Sequence, residues 1–139
     1  MSIEIHVLSD QRLPSIAKWQ EAIESEGFAL KLSPDTQFDE VRGFLPALLA
    51  DKQSGFECYH DDARELMEGY ADSVEFGRVW KHALSLRWGS LMREGVSAYM
   101  AATAYARATG GMVFDPQDGK IMTTAESREV AHQLEKHVQ

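Results

Sequence analysis

The stretch from Leu91 to Ala108 restricts most what this chain can fold into. Alanines at 98, 101, 102, 104, 106 and 108 give it high helix propensity and let neighbouring backbone come close. Met92, Val96, Tyr99, Met100 and Thr103 mark one apolar face, and Gly110-Gly111 ends the run. Gly89-Ser90-Leu91 reads as its start, with Ser90 at the N-cap. A helix of this kind needs an apolar surface to lie against, and the rest of the chain supplies strands.

Ile3-Glu4-Ile5-His6-Val7-Leu8 alternates and is rich in β-branched residues, so a strand is expected. Pro14-Ser15 opens a helix whose Ile16, Trp19, Ala22 and Ile23 share a face, with Glu21, Glu24 and Glu26 on the others and Gly27 as its stop. Phe28–Leu32 alternates again, so the opening unit is β-α-β. Gly43 and Pro46 argue against a helix over Val41–Ala50. A hairpin fits better, with strands Gly43–Leu49 and Gly55–Tyr59 joined by Ala50–Ser54. Pro46 places the first of these at a sheet edge, open to pairing with a second copy of the chain, as in a homodimer. Asp61–Tyr70 is a short helix or an ordered loop. Ala83–Trp88 is a strand, and Met112–Phe114 and Lys120–Met122 form a hairpin around Asp115–Gly119. Thr123 and Glu126 make a capping box for a last helix carrying Val130, Leu134 and Val138. The expected architecture is a single α+β domain over residues 1–139. Its mostly antiparallel sheet is packed by the alanine-rich helix and the C-terminal helix.

Charge narrows function. The 139 residues carry 22 Asp+Glu against 14 Lys+Arg, a formal net charge of -8. Eleven acids fall in 35–75: Asp35, Asp39, Glu40, Asp51, Glu57, Asp61, Asp62, Glu65, Glu68, Asp72 and Glu75. Only Arg42, Lys52 and Arg64 oppose them there, so this segment holds the whole excess and the remainder balances. The sign disfavours nucleic-acid backbone. With no long apolar run and no signal-peptide pattern at the N-terminus, a cytoplasmic chain without membrane partners is expected. The acidic segment is either a solvated face or an electrostatic docking surface for a basic protein partner, centred on Asp61, Asp62, Glu65, Glu68 and Asp72.

Catalytic and metal motifs do not assemble. His132 and His137 are separated by about 140° around a helix, and His60-Asp61-Asp62 with Glu57 is the one tight ligand cluster. Asp115–Gly119 with Glu126 mimics a calcium loop but lacks ligands at its third and fifth positions and glycine at its sixth. Cys58 lies beside carboxylates that would raise its thiol pKa, so it reads as an inert core residue. There is no nucleophile elbow, phosphate loop or dinucleotide fingerprint. No catalytic residue, metal or cofactor is expected. Trp19 reads as core, whereas Trp88, flanked by Arg87 and Gly89, is the better functional aromatic. Together with His82 and Arg87 it offers an alternative small-molecule or minor enzymatic site.

Two stretches carry a resemblance. Phe44-Leu45-Pro46 with Ser54-Gly55-Phe56-Glu57 is one. The other runs from Leu86-Arg87-Trp88-Gly89 through the alanine-rich helix to Gly110-Gly111-Met112-Val113-Phe114-Asp115-Pro116-Gln117-Asp118-Gly119. Together they span roughly the last two-thirds of the chain. They resemble small bacterial α+β immunity-type proteins of polymorphic toxin systems. The resemblance implies a non-enzymatic inhibitor that binds and blocks a cognate toxin, an occupation suited to an acidic surface.

Overall fold

The computed structural model describes residues 3–34 and 42–138. Asp35, Asp39 and Glu40 lie outside them. In chain order the elements are β1 (Ile3–Ser9), α1 (Ile16–Ser25), β2 (Leu30–Leu32), β3 (Arg42–Leu49), β4 (Lys52–Asp62) and α2 (Ala63–Tyr70). Then follow β5 (His82–Trp88), α3 (Met92–Thr109), β6 (Met112–Asp115), β7 (Lys120–Met122) and α4 (Thr124–Glu135). The strands form one seven-stranded sheet in the order β2-β3-β4-β5-β1-β6-β7. Every neighbouring pair is antiparallel, so the fold is α+β. The chain opens β-α-β as expected, yet three strands separate β1 from β2 in the sheet.

One sheet face carries α3, with α1 and α4 packed against it in turn. Because α3 is sandwiched this way, every residue from Gly95 to Ala106 is buried. The sequence had suggested a single apolar face. Instead the small side chains bring neighbours close on all sides, and Met92, assigned to that face, is 47% exposed. Small residues permit the contacts. A Cβ on Gly95 would stand 2.7 Å from the Trp88 indole nitrogen. The helix start also differs from expectation: Leu91, not Ser90, is the N-cap, with no side-chain cap bond, while Gly110 closes the helix in the left-handed conformation.

The β3–β4 turn is tighter than the sequence suggested. Ala50 and Asp51 both have positive φ, 49° and 69°. That is the mirror-image turn whose twist suits a two-residue hairpin. Leu49 therefore pairs with Lys52, and β4 starts before Gly55. Pro46 does not sit on the outermost strand, because β2 lies outside β3. β2 pairs only as far as Ala47. The Ser33 N–H then donates to the Pro46 carbonyl at 3.0 Å. In a strand the N and C=O of one residue face the same side, so the missing proline donor falls where β2 gives out.

Glu26, expected on the surface of α1 with Glu21 and Glu24, is 7% exposed. Its carboxylate takes Arg107 Nε of α3 at 2.9 Å and Arg128 Nη1 of α4 at 3.1 Å, while Arg128 Nη2 donates to its carbonyl. Three helices are tied at this one side chain. Pairing with two guanidinium groups is what makes such burial tolerable.

The opposite face is only half covered. Leu8, Ala83 and Phe114 of the sheet pack under Ala63 and Met67 of α2 and under Val74 and Trp80 of the following loop. Among the described residues, the cluster under α2 includes no residue of β3 or β4. No helix among the described residues is long and apolar enough to cross a membrane.

Candidate functional site

Period-2 alternation sends Glu4 and His6 of β1, Ser85 and Arg87 of β5, and Glu57, Tyr59 and Asp61 of β4 to the partly uncovered face. The register makes them neighbours: Glu4 and Glu57 both oppose Arg87, while His6 and Tyr59 both oppose Ser85. Arg87 forks onto Glu4 Oε2 through Nη2 at 2.8 Å and Nε at 3.2 Å. Tyr59 donates to Glu57 Oε1 at 2.8 Å, and Arg87 lies over the Tyr59 ring.

Within this row runs a relay whose middle members, His6 and Ser85, are buried while Asp61 at one end is exposed. Ser85 Oγ donates to Asp61 Oδ2. Its oxygen is 2.7 Å from His6 Nδ1, so that nitrogen is the donor. Glu4 Oε1 stands 3.5 Å from His6 Nε2, within ion-pair range but too long for a good hydrogen bond. The three links from Asp61 to Glu4 hold two protons while the imidazole is neutral. Nε2 is therefore left as a buried acceptor with no donor. The His6 ring is further fixed by stacking on Phe114, at 5.9 Å between centroids.

Burial holds the His6 imidazole below its ordinary value near 6.5, against the opposing pull of Glu4 and Asp61. The unfolded chain therefore takes up this proton first. Stability from neutral His6 is complete above that ordinary value and is lost as pH falls through it toward the folded-state value. Urea unfolding should show the midpoint dropping between about pH 7 and pH 5, with a shallower drop in His6→Gln. An equal drop in the variant would assign the pH dependence to other groups.

The order Ser85–His6–Glu4 superficially matches nucleophile, base and orienting acid. The chemistry differs. Ser85 is buried in mid-strand and gives its proton to Asp61 rather than to His6, so the imidazole does not activate it. Cys58 is fully buried on the α3 side of the sheet, and burial followed by the Asp61 charge pushes its thiol pKa up. That makes it unreactive.

The acidic residues split by role. Asp61 belongs to the relay, and Asp62 caps α2 by accepting from the Arg64 N–H at 2.8 Å and the Glu65 N–H at 3.2 Å. Glu65, Glu68 and Asp72 are exposed and have no ion-pair partner among the described residues. Ala63 and Met67 face inward from α2, so Glu65 and Glu68 line its outer side and Asp72 extends the line just beyond it.

The structure does not bring His82, Arg87 and Trp88 together. His82 and Trp88 stand at opposite ends of β5, and alternation turns Arg87 to the other face from Trp88. The Trp88 ring packs in the main core against Tyr99, 5.9 Å between centroids. The same alternation turns His60 away from Glu57 and Asp61. Among the described residues, no group of three or more His, Cys, Asp or Glu could hold a metal ion. The relay and the Glu4–Arg87 pair escaped the sequence reading. Their one signal was polar residues at alternate positions in three separate strands.

Comparison with known proteins returned no matching family model, curated protein or solved structure.

Proposed function

We propose that this chain is a non-enzymatic protein-binding module that docks a basic partner on the outer face of α2, as an immunity protein does when it neutralises a toxin. One observation carries the reading: Glu65, Glu68 and Asp72 form an exposed acidic line with no ion-pair partner among the described residues, although Arg64 shares the α2 surface with Glu68. Carboxylates used for folding are capped or paired, as Asp62 and Glu26 are. These three are left to solvent or to a partner. The helix beneath them is anchored by Met67 and Tyr70, the latter edge-on to Phe114, so a docked surface would meet a firm scaffold. The resemblance of 86–119 to immunity-type proteins supports the toxin as the partner class.

The test uses the whole chain. A partner is recovered by pull-down from the native host, made recombinantly, and its association followed by stopped flow. The triple variant Glu65→Lys, Glu68→Lys, Asp72→Lys should associate about 10- to 100-fold more slowly, with a flatter salt dependence. Circular dichroism should be nearly unchanged, because these side chains make no hydrogen bond or ion pair among the described residues and only Glu65 adds a favourable charge to the first turn of α2. A partner that associates with the variant at an undiminished rate overturns the proposal.

A further inference from the structure

A wide cavity lies away from α2, where β2 and β3 meet the first turn of α3. It encloses about 980 Å³. That lies within the range of small-molecule sites. Phe44, Leu48 and Leu91 line it, and they are 56%, 41% and 62% exposed. These are three of the five large apolar side chains most open to water among the described residues. Exposed apolar groups that converge on one concavity mark a site for something apolar, whereas scattered ones carry no such meaning.

The polar part of the wall is specific. Arg93 lines the cavity, and its Nη1 donates to the Gln53 carbonyl at 3.2 Å. Its Nε is buried with no acceptor, and no carboxylate among the described residues lies within ion-pair distance of the guanidinium. A guanidinium grips a carboxylate through two N–H groups, and Nη2, unlike the buried Nε, is open to solvent with no partner among the described residues. Lys31, also on the wall, is exposed and likewise has no ion-pair partner among the described residues. Glu24 and Glu94 offset these two cations in formal charge. Recognition of an anion here therefore depends on directed hydrogen bonds from Arg93 rather than on a net positive field.

We propose that this cavity binds a small amphiphilic carboxylate, its apolar chain or ring against Phe44, Leu48 and Leu91 and its carboxylate on Arg93. The site is independent of the docking face on α2, and either proposal stands if the other fails.

The experiment titrates the full chain with decanoate, decanol and decyltrimethylammonium while recording backbone amide resonances. Decanoate should shift the amides of Leu48, Ser54, Leu91 and Arg93 saturably and bind at least about tenfold more tightly than the other two. A lost charge-assisted hydrogen bond has roughly that size. Arg93→Gln should abolish the preference for decanoate, and Leu48→Ser should weaken all three ligands. The comparison of head groups on the unaltered chain needs no variant to fold. Equal affinities for decanoate and decanol, or no shift at these amides, overturn the proposal. So do shifts of the same amides with protein concentration alone, which would place a second copy of the chain there instead.

Discussion

Trp19→Ala is expected to destabilise the protein by about 3–5 kcal/mol, the usual cost of removing a buried aromatic ring from a core. The ring is fully buried on α1, edge-on to Tyr105 at 5.4 Å and tilted against Phe56 at 6.1 Å between centroids. Its Nε1–H donates to the Ala101 carbonyl of α3 at 2.9 Å. The substitution thus empties the α1–α3 seam and leaves a buried acceptor with a lost donor, and both effects act in one direction. Against a typical total of about 5–15 kcal/mol, this is a large share. Urea denaturation monitored at 222 nm checks it, with Val79→Ala at an exposed site as the reference expected to change by less than about 0.5 kcal/mol. A Trp19→Ala loss below about 2 kcal/mol would mean that the seam collapses to fill the hole.

The second large effect is expected at Gly111. A Cβ there would stand 2.3 Å from the Leu8 carbonyl oxygen and 3.0 Å from the Ser9 Cβ. Leu8 is held in mid-sheet, paired to Ala83 on one side and Met112 on the other, so its backbone has nowhere to move. Gly111→Ala should therefore cost about 3 kcal/mol, at the upper end for overpacking. Gly110→Ala is the informative control. Nothing lies within 4 Å of a Cβ there, but φ is +70°. The penalty at Gly110 is conformational and about 1 kcal/mol. Equal losses in the two variants would rule out the steric argument. Displacing β6 has a functional consequence as well. Phe114 of β6 contacts His6, Tyr70 and Phe76 and so forms the seat of α2. Gly111→Ala should loosen the acidic line without touching any of its residues.

Much of the architecture was readable locally. The hairpin at Met112–Met122 and the capping box at Thr123 and Glu126 both appear where their short-range chemistry placed them. Alternation identified β1 and β5, and Gly110 stopped α3 as a C-terminal glycine does. Ser90 has the right chemistry for a cap, but the chain enters α3 one residue later. Trp88, flanked by Arg87 and Gly89, is expected to serve a functional site, and Glu26 to share the α1 surface with Glu21 and Glu24. For these two the deciding partners lie on other elements: Gly95 and Tyr99 of α3 for Trp88, Arg107 of α3 and Arg128 of α4 for Glu26.

The sequence alone determined the kinds of element outside 61–70, their order, and the location of the net negative charge. Periodicity, caps and turns act over a few residues, so they are written in the local string. Only the tertiary structure decided that β5 lies between β1 and β4. That choice sets His6 beside Ser85, 79 positions away, and Arg87 between Glu4 and Glu57. It also divided the candidate docking residues into Asp61 and Asp62, spent on the fold, and Glu65, Glu68 and Asp72, left facing outward. Strand order depends on which faces the helices can cover, and that is a property of the whole chain at once.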